Sequence, residues 1–168
     1  MSEAPTRVWY LAMEHREALR PARPPGPRVA AVRAEIPTGA LNRFFYEEVG
    51  RGHSWTNKRG WPLERWQAWA EAIETWLVWE RGTPAGYAEL VPTGDEIDVA
   101  SFGLLAGFRG RGLGGHLLEA AVRRAWDRGA RRVTLNTCEL DGPYALDHYR
   151  ARGFEVIRER MELRERDP

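Results

Sequence analysis

Arg109-Gly110-Arg111-Gly112-Leu113-Gly114-Gly115 puts four glycines and two arginines between an apolar run and an amphipathic helical stretch. Glycine lets the backbone turn several N–H groups into one concavity, and the helix behind adds the positive end of its dipole. The arginines bring charge. A segment built this way suits a pyrophosphate, and which pyrophosphate it suits decides the reading of the fold.

The flanking pattern narrows the choice. Upstream, Trp76 to Trp79 and Gly86 to Val91 read as two strands of a hairpin around Arg81-Gly82-Thr83-Pro84, and Ile97 to Leu105 reads as a third antiparallel strand that runs into the glycines. Downstream, Leu113, Leu117, Leu118, Ala121 and Ala125 mark one face of a helix that stops at Gly129. A strand from Val133 to Cys138, a short helix from Pro143 to Arg152 and a closing strand from Phe154 to about Leu163 follow. Nearer the N-terminus, Val8 to Met13 predict a strand covered on both faces. Arg20 to Pro27 carries four prolines and reads as an extended connector, and Val29 to Ile36 is a second short strand or more of that connector. Thr38 is a candidate N-cap for a helix closing at Gly50, and Pro62 suits the first turn of another reaching about Ala72.

At 168 residues the chain reads as one domain, 1–168, of mixed α/β class. Its net charge of +1, from 25 basic and 24 acidic residues, gives no basic excess of the kind nucleic acid or an anionic membrane attracts. One cysteine, Cys138, and four scattered histidines supply neither a disulfide framework nor zinc-ligand spacing. No metal site is expected, and a reducing, cytoplasmic setting is. No stretch approaches membrane-spanning length or a signal-peptide core.

Two motifs compete for the glycine loop. Gly110, Gly112 and Gly115 satisfy G-x-G-x-x-G, the dinucleotide fingerprint, yet that fingerprint opens a parallel sheet. Here the preceding strands look antiparallel, only 53 residues follow Gly115, and the position about 20 residues on, where an acidic ribose ligand belongs, holds Leu135 and Asn136. Arg109, Gly112 and Gly114 equally satisfy R-x-x-G-x-G. Ala145 to Phe154 adds an A-x-x-x-Y-x-x-x-G-F segment through Tyr149, Gly153 and Phe154. Together, and in this order, the two segments resemble the GNAT superfamily of N-acetyltransferases, firmly from Ile97 to Phe154 and consistently back to Thr38.

The resemblance implies a mostly antiparallel central sheet, flanked by helices, that splays at the strand ending at Leu104. Acetyl-coenzyme A would lie in the opening as acyl donor. It implies that Arg109, Gly110, Arg111, Gly112, Leu113, Gly114 and Gly115 hold the pyrophosphate and that Phe102, Gly103 and Leu104 pair with the pantetheine arm. The Leu104 amide would sit near the thioester carbonyl, and Tyr149 would protonate the leaving sulfur. An asparagine that often meets the pantetheine arm in this family is replaced by Gly142, so Asn136 or Asp141 is the candidate to compensate. A homodimer is the assembly the family suggests.

An attacking primary amine arrives mostly protonated, since a lysine-like group has a pKa of about 10.4. Glu89 is the first candidate to take its proton, with Glu96 and Asp98 on the next strand behind it; a solvated strand carboxylate is the alternative for Glu89. Trp55, Trp61, Trp66 and Trp69 cluster where this family covers its acceptor. Trp55 and Trp61, in a loop with His53, Thr56 and Lys58, are the pocket candidates, whereas Trp66 and Trp69 are spaced for core packing. His116 reads as an exposed helix residue and His148 as facing away from the cleft. Arg123, Arg124, Arg131 and Arg132 read as a solvated surface with the 3′-phosphate of coenzyme A as an alternative contact. Two other functions stay in view: a coenzyme-A-binding sensor or interaction domain without catalysis, and a nicotinamide or flavin dinucleotide-binding protein.

Overall fold

Strand-rich segments of alternating burial need partners on both sides, and here a single sheet supplies them. A computed structural model describes residues 2–167. Its seven strands are β1 (Ser2–Met13), β2 (Val29–Arg33), β3 (Glu74–Glu80), β4 (Thr83–Thr93), β5 (Glu96–Leu104), β6 (Arg132–Cys138) and β7 (Glu155–Arg166). They lie in the order β2-β3-β4-β5-β6-β1-β7. Every neighbouring pair is antiparallel except β5–β6, which is parallel. The helices are α1 (Gly39–Gly50), α2 (Leu63–Ala72), α3 (Leu113–Asp127) and α4 (Ala145–Ala151).

The two halves of the sheet are stitched by very little. β5 and β6 pair only through Glu96, Ile97 and Asp98 against Arg132, Val133 and Thr134. Beyond that the strands part, and Asp98 accepts a 2.8 Å hydrogen bond from the Thr134 hydroxyl at the fork. The expected splay is therefore present, and it begins at Val99, well before the end of β5.

α3 covers one face. Its Leu113, Leu117, Leu118, Ala121, Val122 and Ala125 are buried against Val78, Ala88, Leu90, Val99 and Val133; each fully buried leucine contributes about 1.5–3 kcal/mol. α1 and α2 cover the other face, where Phe45, Val49, Leu77 and Tyr87 form a smaller cluster. One irregularity keeps the faces straight. Glu89 opposes Ser101 and Leu90 opposes Val99, so Ala100 is an extra residue in β5. That bulge shifts the side-chain parity. Ile97 and Val99 before it, and Phe102 and Leu104 after it, all meet the α3 side.

The hairpin turns as its sequence predicts, with Arg81 and Gly82 at φ of 53° and 78°, the left-handed pair that matches strand twist. β4 is longer than the Gly86 to Val91 expected. Val78 opposes Gly86 and Trp79 opposes Pro84, so Ala85 is bulged and Pro84 sits at an irregularity where its missing N–H is tolerated. α4 is shorter than expected, beginning at Ala145. β1 is covered on both faces, with Val8, Leu11, Ala12 and Met13 buried, but its place between β6 and β7 is set by tertiary pairing alone.

Candidate active site

The fork between β5 and β6 opens into a cleft of about 1140 Å³. Gly110 and Gly112 both adopt φ of 79°, which glycine reaches without strain, and Gly112 is the N-cap of the 15-residue α3. A Cβ at either position would meet nothing within 4 Å, so the backbone there fronts open space. Arg109, Gly110, Gly112, Gly114 and Gly115 line the cleft. This cradle at a helix N-terminus fits a pyrophosphate. Two of the loop residues expected there turn their side chains elsewhere. Arg111 donates to the Glu80 carboxylate at 2.5 Å and to the Gly107 carbonyl at 3.1 Å, and Leu113 is buried beneath α3. At those two positions only the backbone is left to serve an anion. A valine at Gly112 forces a β-branched residue into left-handed backbone, at about 1–3 kcal/mol, and puts its methyls over the cradle. Gly112→Val should weaken acetyl-coenzyme A binding roughly tenfold or more by titration calorimetry; unchanged affinity removes the loop from the donor site.

Phe102, Gly103 and Leu104 border the opening with Val99, Ala100 and Ser101. Leu105 donates its N–H to the Ala85 carbonyl on β4 at 2.8 Å. Because N–H directions alternate along a strand, the Leu104 and Phe102 amides face the opposite way, into the fork. Gly103 is required by packing, since a Cβ there would collide with Val49 of α1. Across the opening, Asn136 of β6 is exposed and lines the cleft. Asp141 lines it too but is already engaged: it accepts from the Trp55 indole at 3.2 Å, the Thr137 hydroxyl at 2.8 Å and the Cys138 amide at 2.9 Å.

α4 supplies Tyr149, which lines the cleft with its ring at 5.9 Å from Phe102 and 6.4 Å from Phe154. Burial, with Asp141 adding to it, pushes the phenol pKa far above its usual value. His148 does not face away as the sequence suggests. Its ring stacks on Phe102 at 5.7 Å and lines the cleft, and burial followed by the nearby Arg152 charge holds its pKa down. The reason is that the fork carries Phe102 across to α4, so that two successive α4 residues contact one ring, a placement helical periodicity alone does not show.

The cleft is also bordered by the loop between α1 and α2. His53 Nδ1 lies 3.1 Å from the Leu140 carbonyl and Trp55 bonds Asp141, so this loop spans the fork to the far half of the sheet. Arg59 pairs with Asp167, and Ser54 accepts from the Asp167 amide at 3.1 Å. Trp55 lines the cleft as expected. Trp61 packs instead on Trp66 and Trp69, with ring centroids at 5.2 and 5.9 Å, and under Arg65. Trp66 is core.

Glu89 is not a solvated strand carboxylate. It is wholly buried, accepts the Trp69 indole N–H and lies 3.7 Å from the Lys58 ammonium, which does line the cleft. Sequence reasoning passed over Lys58, grouping it with its loop; its available signal was that no other lysine occurs in the chain. Glu96 pairs with Arg132 and Asp98 with Thr134, both at the fork's closed end. The arginines of α3 and of the turn after it meet carboxylates: Arg123 with Glu119, Arg124 with Glu74, and Arg131 with Asp95. Among the described residues, no three His, Cys, Asp or Glu side chains converge as a metal site, and no helix is long and apolar enough to cross a membrane.

A splayed sheet with a glycine cradle at its fork and a tyrosine from the following helix defines an α/β acyltransferase fold. The family model described as acetyltransferase (GNAT) family matches residues 40–154, and the chain belongs to that family. A mycothiol acetyltransferase from Corynebacterium aurimucosum is 30% identical over 180 residues, covering 91% of this chain and 58% of its own length. The chain thus spans little more than half the length of that curated relative. Among solved structures, a GCN5-related N-acetyltransferase from Sphaerobacter thermophilus superposes with a TM-score of 0.72 at 22% identity, over 98% of this chain and 53% of that one. Another from Kribbella flavida gives 0.68 at 21%, over 99% and 61%. These two likenesses bear on the fold.

Proposed function

We propose that the protein transfers an acetyl group from acetyl-coenzyme A to a primary amine of a small molecule, by direct attack with donor and acceptor bound together. The observation that carries this reading is the fork itself: an unpaired strand edge from Val99 to Leu104 runs from the Gly110–Gly115 cradle to Tyr149. When bound, acetyl-coenzyme A supplies an activated thioester. Arg109 and the amides of Gly110, Gly112, Gly114 and Gly115 would hold its pyrophosphate. The Phe102 and Leu104 amides would bind the pantetheine arm as an added strand, with Asn136 opposite. The Leu104 N–H would polarise the acyl carbonyl.

The Tyr149 hydroxyl would then donate to the sulfur as it leaves. Its raised pKa keeps the phenol protonated across the working range. Trp55 would form part of the acceptor wall. The carboxylate of Glu89 is the final sink for the proton an acceptor ammonium must lose, although it lies behind the cleft surface rather than on it.

Conversion of acetyl-coenzyme A to coenzyme A, separated by liquid chromatography and measured with desacetylmycothiol, glucosamine and a series of simple primary amines, tests the reading. The unacetylated form of mycothiol is included because two curated relatives carry the name mycothiol acetyltransferase. Amine-dependent formation of coenzyme A is expected; tight binding of coenzyme A with no turnover for any amine overturns catalysis.

A further inference from the structure

Lys58 is the single lysine among 25 basic residues; every other cation in the chain is an arginine. It is also buried, with its side chain 9% exposed. Its ammonium sits 3.9 Å from the centre of the Trp69 ring and 5.6, 5.6 and 5.9 Å from those of Tyr46, Trp61 and Trp66. Its ionic partner is Glu89 Oε2 at 3.7 Å, and neither Lys58 Nζ nor Glu89 Oε1 has a hydrogen-bond partner among the described residues. Sinking an ion pair this far costs several kcal/mol per charge. For a static bridge, arginine's planar fork is the better group. What lysine does and arginine cannot is give up a proton near neutral pH.

The order of the two groups matters as much as their identity. Lys58 lines the cleft with its ammonium sunk beneath the surface, and Glu89 lies wholly buried off the cleft, 3.7 Å from that ammonium, so Lys58 is the member of the pair that borders the cleft. We propose that Lys58 receives the proton that the acceptor ammonium must lose and passes one of its own to Glu89, so that the two form a proton relay serving the acceptor amine. The inference rests on the acetyl-transfer reading above.

The balance closes. An Nζ–H bond of the Lys58 ammonium breaks as an O–H bond forms on Glu89, which frees the Nζ electron pair; one N–H bond of the acceptor then breaks as a new N–H bond forms at Nζ. The acceptor is now a neutral amine with a free electron pair, and the relay carries the displaced positive charge on Lys58. Four aromatic rings around Nζ stabilise that cation while Glu89 is protonated. The second amine proton, released as the new C–N bond forms, goes to the departing thiolate by way of Tyr149. The relay returns its proton to solvent once the product has left.

The neighbours favour easy transfer. Burial pushes the Lys58 pKa down, and Glu89 pulls it partly back. From α1, Tyr46 donates to Asn57 at 2.6 Å and accepts the Lys58 backbone N–H at 3.2 Å, fixing the loop. Tyr87 from β4 is neutral and buried, Arg65 of α2 covers Trp61 at 4.0 Å, and Arg59 is taken by Asp167.

The single lysine makes the test direct. Protein labelled with lysine carrying carbon-13 at Cε gives one resonance, whose pH titration should fall below the ordinary lysine value of about 10.4 and lower still in Glu89→Gln. A titration at or above the ordinary value overturns the relay. Turnover is then measured with desacetylmycothiol and glucosamine. Lys58→Arg keeps the charge but cannot release a proton, and should lose roughly 30-fold or more in kcat with acetyl-coenzyme A affinity unchanged. Turnover within threefold of the wild type assigns Lys58 a structural role and overturns the relay. Lys58→Met, close in volume, replaces the arginine variant if that one melts. Absence of amine-dependent turnover in the wild type strikes instead at the acetyl-transfer reading.

Discussion

Gly153→Ala should destabilise the protein by about 3–5 kcal/mol, lowering Tm by roughly 6–20 °C for a chain of this length. Gly153 follows α4 with φ of 106°, a conformation that only glycine holds without strain, and a Cβ there would collide with the backbone carbonyl of Ala18. That carbonyl belongs to the 3-10 turn Arg16–Ala18 just after β1 and cannot swing aside like a side chain. Arg20 also donates its N–H to the Arg152 carbonyl at 2.9 Å, locking the same two segments together. Gly129→Ala supplies the comparison. It has φ of 84° with nothing near its Cβ position, so it should cost only about 1 kcal/mol. Equal melting losses in the two variants would show that the close approach at Ala18 carries no weight. On this account the glycine of the Gly153-Phe154 pair serves packing, whereas the role proposed for Tyr149 is chemical.

Tyr149→Phe should lower kcat by about 100-fold or more while leaving acetyl-coenzyme A affinity within about twofold. The ring stays, wedged against Phe102 and Phe154, so only the hydroxyl is lost. Single-turnover kinetics and calorimetry separate the two effects. The pH dependence has a definite sign. A phenol donates only while protonated, and Tyr149 loses its proton only as pH rises through a pKa that burial and Asp141 have raised above the ordinary value near 10. Between pH 7 and 10, therefore, Tyr149 should contribute no fall in rate. An alkaline limb in that window that disappears in Tyr149→Phe would contradict the assigned environment, and undiminished turnover would remove Tyr149 as donor.

Much of this was legible in the chain because it depends on local physics. The left-handed glycines at 110 and 112, the apolar face of α3 and the Arg81-Gly82 turn each follow from the allowed backbone of one or two residues or from a helical period. The tyrosine of the second motif was found through the family resemblance and not through local conformational rules. The misses share a different cause. His148 was placed by helix geometry alone, but which ring it meets depends on how far β5 and β6 diverge. Trp61 was read as a pocket residue because it shares a loop with Trp55, yet one indole crosses the fork to Asp141 and the other turns back onto α2. Glu89 stood on an expected strand as a candidate base, with no indication of its depth.

What the sequence by itself determined is a glycine cradle and the helix behind it, in one stretch where short-range conformational rules apply, with the tyrosine beyond marked by the family resemblance. Only the tertiary structure decided the surroundings of Lys58. Lys58 and Trp61 on one loop, Glu89 on β4, Tyr46 on α1 and Trp66 and Trp69 on α2 meet because long-range pairing and packing bring them together. Burial then lowers the pKa of that lysine, which its place in the sequence does not reveal.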